Sequence, residues 1–349
     1  MAPALQCTHS LSDLVSFLNP LVKNQNRRES LLRSILIYLS QASWARNIVT
    51  RWRFARGAAS RFIAGDTLDE AIQAIRRLND LGLLATLDHL GENVTNLQEA
   101  STSADIYKNL LETIEHEGVK ASVSLKLTQL GLGIHYGLCL ENMATIAEKA
   151  SELGNFVRID MEDSPVIDQT ISIYHDLKKS GFENVGLVIQ SYLYRSEEDT
   201  SSLLKEGARI RLVKGAYQEP PEIAFPLKKD VDKNFDVLTR IIIDYAQIHG
   251  SQCASDDGKL PPVTAIATHD EDRISFACDY AEKVEFPRGA LEFQMLYGIR
   301  TNLQLSLAEQ GYPVRVYVPY GTEWYPYYVR RLAERPANLW FFISNFFRR

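Results

Sequence analysis

The sequence predicts an α/β protein closed into a (β/α)8 TIM barrel, preceded by a helical arm. Three observations carry this. Eight short runs rich in Val, Ile and Leu recur beyond residue 80, amphipathic helical stretches separate them, and residues 1–80 carry no strand pattern. Near-continuous apolar strands alternating with helices mark a parallel sheet covered on its faces, and a count of eight favours closure over an open doubly wound sheet.

In chain order, helical patterns cover about 10–23, 29–42 and 44–61, then DTLDEAIQAIRRLNDLG, where Asp66 or Thr67 caps a helix ending at Gly82. The expected strands are LLATL (83–87), SVSLKL (122–127), NFVRI (155–159), VGLVIQ (185–190), ARIRLV (208–213), PVTAIAT (262–268), GALEFQ (289–294) and VRVYV (314–318). Between them, ENMATIAEKASELG and DQTISIYHDLKKSG read as helices that each close on a Gly. The polar segment 251–262, SQCASDDGKLPP, reads as a surface insertion before the sixth strand. This divides the chain into an arm, 1–80, and a barrel domain, 81–349.

After the eighth run, Thr322 reads as an N-cap, Pro326 falls in the first turn, and the helix runs to Arg335, where Pro336 stops it. Tyr327, Arg330, Arg331 and Glu334 then share one face at i, i+3, i+4 and i+7. Paired guanidiniums match the plane of a carboxylate. The helix alone supports two readings: a solvated, salt-bridged surface helix or an anion clamp.

Bulk properties narrow the function. Of 349 residues, 45% are hydrophobic and 23% charged, and the net charge of -6 argues against nucleic acid as a partner. Cys7, Cys139, Cys253 and Cys278 are scattered without metal spacing and read as reduced thiols of a cytoplasmic protein. The first basic residue is Lys23 and no long apolar run occurs, so neither a signal peptide nor a membrane span is expected. The basic, aromatic stretch 44–61 and the tail LWFFISNFFRR are candidates for contact with a membrane surface, or for helices packed on the barrel.

Barrel active sites lie at the C-terminal ends of the strands. There the sequence places Asp88, Lys126, Asp160 with Glu162 and Asp163, Gln190, Arg211 and Lys214, Thr268 and His269, Glu292 and Gln294, and Tyr317. Eight polar strand ends of both signs describe a polar ligand site. Lys126 or Lys214 is a candidate for Schiff-base chemistry once desolvated. A Mg²⁺ triad is incomplete, because Gln190 and Lys214 follow Asp160 on the next strands, and His89 and His269 lack a third zinc ligand. Gly131 to Gly137 misses the dinucleotide fingerprint by one residue. In RLVKGAY, Arg211 and Lys214 supply charge for a pyrophosphate, and Gly215-Ala216 allow close backbone approach.

The blocks RFIAGDTLDEA, LGLLATLDHLGENV, SLKLTQLG, VRIDMEDS, VGLVIQSYLYR, RLVKGAYQEP, ATHD, EFQMLYGIR and YVPYG…YYVRRLAERPANL, in this order from about residue 44 onward, resemble the proline dehydrogenases, most closely their short monofunctional bacterial type. The resemblance implies a distorted (β/α)8 barrel with a final helix over its mouth, FAD as cofactor and no metal. It implies that Lys126, Arg330 and Arg331 hold the substrate carboxylate, that Glu334 fixes the arginine pair, and that Tyr317 closes over the substrate ring. Asp160 is implied beside flavin and substrate, and Arg211 near flavin N5. Met161, Gln190, Lys214, Gly215, Ala216, Thr268 and His269 complete the implied FAD contacts. Gln218 departs from the long bifunctional relatives, which carry a Trp there.

The implied reaction is oxidation of L-proline to Δ1-pyrroline-5-carboxylate by hydride transfer to the flavin, with electrons passed to a membrane quinone. The chain ends about where such a dehydrogenase domain ends, so a separate pyrroline-5-carboxylate dehydrogenase is expected to consume the product. Three cations suit the carboxylate of proline, and an acid suits its ammonium. A Tyr at 317 resembles members that prefer proline, whereas a Ser there marks relatives that accept hydroxyproline. The competing reading is a Schiff-base or metal-dependent barrel enzyme acting on a small carboxylate.

Overall fold

The computed structural model describes residues 57, 59–91 and 94–334, the last three for their backbone alone. Eight parallel strands close into a barrel in sequence order: β1 (Leu84–His89), β2 (Ala121–Leu125), β3 (Val157–Ile159), β4 (Val185–Gln190), β5 (Arg209–Val213), β6 (Thr264–Ala267), β7 (Leu291–Leu296) and β8 (Val314–Tyr320). β8 returns to pair with β1 from Leu84↔Arg315 to His89↔Tyr320. Every strand read from the sequence is present.

Nine described helices accompany them: α1 (Leu68–Asp80), α2 (Leu97–Glu117), α3 (Tyr136–Glu152), α4 (Ile167–Lys179), α5 (Ser196–Lys205), α6 (Lys228–His249), α7 (Glu271–Lys283), α8 (Thr301–Glu309) and α9 (Trp324–Glu334). The α1 start shows why the helix begins there. Thr67 Oγ1 accepts from Glu70 N at 3.3 Å, and the Glu70 carboxylate accepts from Thr67 N at 3.1 Å, a reciprocal capping box. The inner faces of the helices bury Ile75, Tyr107, Leu111, Ile146, Tyr174 and Ile242 against the sheet's outer side chains, such as Leu87, Val123, Leu187 and Leu212.

The described chain separates into two compact units. One holds the barrel from 58 to 324, and the segment from Tyr325 belongs to the other. The boundary read at residue 80 falls inside the barrel unit, because α1 packs on β1 and β8. The remainder of the arm, the stretch 44–56 and the tail from 335 lie outside the described residues. No described helix is long and apolar enough to cross a membrane.

Two local readings change. α9 begins at Trp324, one position later than Thr322 as its N-cap requires, although Pro326 does sit in the first turn. Segment 251–262 lies across the N-terminal end of the barrel rather than standing off its surface. Gly258 is buried at φ 69°, and its carbonyl accepts from Arg315 Nη1 at 2.8 Å. A Cβ at Gly258 would come within 2.7 Å of Leu84 Cδ2 and 2.9 Å of Lys120 Cβ, so only glycine fits both the space and the turn.

Barrel interiors of this class are usually filled by branched apolar side chains. Here the inward positions are polar and buried instead: Thr86 and Asp88, Ser122 and Ser124, Arg158, Arg211, Glu292 and Gln294, Arg315. They hydrogen-bond across the lumen, as Arg211 Nη2 to Ser124 Oγ at 2.9 Å and Arg315 Nη1 to Ser122 Oγ at 3.2 Å show. Buried polar groups at this density persist only when they are paired.

Candidate active site

Strand direction delivers the polar ends to one mouth. Asp160 follows β3 directly, and its two carboxylate oxygens are taken by different strands. Arg211 Nη1 on β5 donates to Oδ1 at 2.7 Å, and Tyr317 Oη on β8 donates to Oδ2 at 2.8 Å. The Arg211 guanidinium carbon also lies 5.4 Å from the centre of the Tyr317 ring. Burial, then the Asp160 and Asp88 charges, push the Tyr317 hydroxyl far above its ordinary range, so it stays protonated and donates.

Lys126 follows β2 and is only 8% exposed. Its ammonium stands 3.5 Å from Asp88 Oδ2 and 3.7 Å from Asp160 Oδ2, both longer than a formed charge-assisted hydrogen bond. Asp88 is fully buried and is held from below by Tyr107 Oη at 3.3 Å. The same Tyr107 hydroxyl lies 3.1 Å from Gln129 Oε1, so its one proton is shared between the two acceptors, and the Gln129 amide donates to the His89 carbonyl at 2.9 Å. An ammonium flanked by two carboxylates is an electrostatic binding group, not the desolvated amine that a Schiff base needs.

A second group of predicted residues lies on the β3–β6 side. Gln190 Nε2 donates to the carbonyls of Met161 at 3.0 Å and Glu162 at 3.2 Å. Its Oε1 is buried and has no hydrogen-bond partner among the described residues. Gly215 sits at φ 115° against the Tyr192 ring, where a Cβ would approach within 2.3 Å, so only glycine fits both this backbone conformation and the ring packed on it. Lys214 is ion-paired to Asp232 on α6 and Asp270 at the start of α7. Burial alone would raise the Asp270 carboxyl, but Lys214 and Lys228 bring it down to about 2. Thr268 Oγ1 accepts from Asp270 N at 3.1 Å, and His269 Nε2 accepts from Leu296 N at 3.0 Å, which places the neutral ring's proton on Nδ1.

These residues suit a flavin. The orphaned buried acceptor of Gln190 calls for a ring N–H donor, and Arg211 and Lys214 supply cations on the same side of the barrel. Met161, Gln190, Lys214, Gly215, Ala216, Thr268 and His269 stand at the ends of β3 to β6 or in the loops directly after them, and Arg211 lies within β5.

Arg330 and Arg331 lie on α9, with the Arg331 guanidinium 5.1 Å from the Tyr327 ring centre, the contact that the i, i+4 spacing predicts. Glu334 ends α9, and its side chain lies outside the described residues. The sequence did not reveal the partners that orient the site: Tyr107 under Asp88, and Asp232 and Asp270 around Lys214. It also missed Glu219, which accepts from Ser164 N at 2.7 Å and Ser164 Oγ at 2.6 Å. Two signals were available, the charged KKDVDK run, which carries Asp232 among lysines, and the polar alternation inside apolar strands.

Barrel and mouth together define an enzyme of the (β/α)8 class, with an ionised site at the C-terminal ends of its strands. The proline dehydrogenase family model matches residues 71–343. Proline dehydrogenase 1 of Bacillus subtilis (strain 168) is 40% identical over 318 residues, which cover 90% of this chain and 99% of the relative. Proline dehydrogenase of Deinococcus radiodurans is 40% identical over 291 residues, 82% of this chain and 89% of the relative. The solved proline utilization A of Bdellovibrio bacteriovorus, inactivated by N-propargylglycine, superposes with a TM-score of 0.73 at 25% identity, over 90% of this chain and 38% of that one. The chain belongs to the proline dehydrogenase family.

Proposed function

We propose that this proline dehydrogenase uses FAD to oxidise L-proline to Δ1-pyrroline-5-carboxylate and passes the electrons to a quinone. The observation that carries the reading is Asp160 held between Arg211 and Tyr317, with Lys126 beside it. FAD, when bound, supplies the acceptor for the hydride leaving the ring carbon next to the proline nitrogen.

In this reading Arg330, Arg331 and Lys126 bind the proline carboxylate, and Glu334 orients the arginine pair. The cationic surroundings favour the neutral secondary amine, the form that can lose hydride. Asp160 and Tyr317 bound the opposite side of the substrate and exclude water from it. Arg211 places a fixed positive charge where electron density arrives. Met161, Gln190, Lys214, Gly215, Ala216, Thr268 and His269 hold the cofactor. A separate pyrroline-5-carboxylate dehydrogenase takes the product, and a membrane quinone implies contact with the cytoplasmic membrane surface. The lysine environments favour this reading over a Schiff-base enzyme.

The purified protein should be yellow, and anaerobic proline should bleach the flavin band. A colourless protein that stays inactive with added FAD would refute the proposal. Tyr317 also limits the room around the substrate ring, so proline should be oxidised far more efficiently than trans-4-hydroxyproline, and Tyr317→Ser should narrow that ratio about tenfold, the worth of one removed steric and hydrogen-bonding group. Equal efficiency on both substrates in the unsubstituted enzyme would reject that role for Tyr317.

A further inference from the structure

Arg211 has a third contact that the reaction as described does not use. Its Nε donates to Gln294 Oε1 on β7 at 2.5 Å, and Gln294 Nε2 donates to Glu292 Oε1 at 2.5 Å. Glu292 in turn accepts from Nε and Nη2 of Arg315, each at 3.0 Å, and Arg315 is anchored on the Ala85 carbonyl at 2.9 Å. All four side chains are buried: Gln294 is 4% exposed, Arg211 4%, Arg315 1% and Glu292 0%.

We infer that Gln294 is a positioning residue that sets the plane of the Arg211 guanidinium through its Nε edge. The amide has one possible orientation, since only its carbonyl can accept from a guanidinium and only its NH₂ can donate to a carboxylate. It therefore cannot flip, and it joins two ion pairs, Arg315–Glu292 and Arg211–Asp160, into one rigid line. The neutrality of the residue matters. A carboxylate at 294 would face Glu292 two positions away on the same side of β7 and would compete with Asp160 for Arg211. An aliphatic side chain would strand both the Arg211 Nε–H and a lone pair of Glu292. No hydrogen bond links Gln294 to Asp160, Tyr317 or Lys126 among the described residues, so it acts through Arg211.

The inference rests on the reading that Arg211 stands beside flavin and proline, and its test separates the two. Full-length holoprotein is prepared with Gln294→Leu and with the isosteric Gln294→Glu. The Nε–H resonance of Arg211, assigned by its loss in Arg211→Lys, should lose protection against solvent exchange in Gln294→Leu and keep it in Gln294→Glu. Flavin reduction by proline should slow roughly tenfold or more in Gln294→Leu, with KM changed by less than about threefold, because misorientation costs the transition state and not ground-state binding. Gln294→Glu keeps the acceptor but adds negative charge, so its flavin potential should fall. Retained Nε–H protection in Gln294→Leu, or an unchanged reduction rate and potential with only a lower melting temperature, would overturn the inference. A wild-type protein that binds no flavin would defeat the functional reading alone, since the exchange experiment still reports whether Gln294 holds Arg211.

Discussion

Arg211→Met should lower the limiting rate of proline oxidation by at least about a hundredfold, the usual cost of removing one preorganised donor from a buried reaction site. The structure explains why the effect should be large. Arg211 engages Asp160, Ser124 and Gln294 at once, so its loss removes a donor from three acceptors together and strands the buried Gln294 carbonyl oxygen. Asp160 would retain Tyr317 and Lys126, and with the guanidinium gone the lysine would be drawn toward it and away from substrate. Arg211→Lys should recover little, because an ammonium cannot meet three acceptors fixed in the plane of a guanidinium. Stopped-flow reduction of the flavin by proline measures this directly. A reduction rate within a few-fold of the unsubstituted enzyme would show that Arg211 only fills the barrel.

Arg331→Met should act on a different constant. It should raise KM for proline roughly a hundredfold, the loss expected when one partner of a buried charge-assisted pair is truncated, while FAD remains bound. The Tyr327 ring beside the guanidinium restricts its orientation before substrate arrives, which cuts the entropy lost on binding. Proline titrations of the oxidised flavin, together with the flavin content of the purified variant, separate the two effects. Unchanged proline kinetics would return the arginine pair to the surface-helix reading.

The barrel was legible because parallel strands buried on both faces leave uninterrupted apolar runs, and VGLVIQ coincides with β4 residue for residue. Boundaries were less legible. β1 and β8 run on through Asp88-His89 and Pro319-Tyr320, because their mutual pairing continues after the apolar pattern has ended. The site residues were visible as polar strand ends and as family blocks. Their partners were not, because a contact such as Arg211–Gln294 joins positions 83 residues apart and leaves no periodic trace. The insertion 251–262 misled for a related reason. Its polar composition resembles that of a surface loop, yet its backbone carbonyl at Gly258 is what a buried arginine on β8 requires.

That arginine bears on how the chain reaches its native state. Arg315 bonds the Ala85 carbonyl across 230 residues of sequence, Gly258 across 57 and Glu292 across 23. Until β8 meets β1 and the loop crosses the end of the barrel, burying this guanidinium carries a heavy desolvation cost with few partners to offset it. Partly closed barrels are therefore disfavoured, and the final strand either stays in water or docks with its full set of contacts. Ring closure becomes the step that commits the molecule, and β8 carries the charge that enforces it.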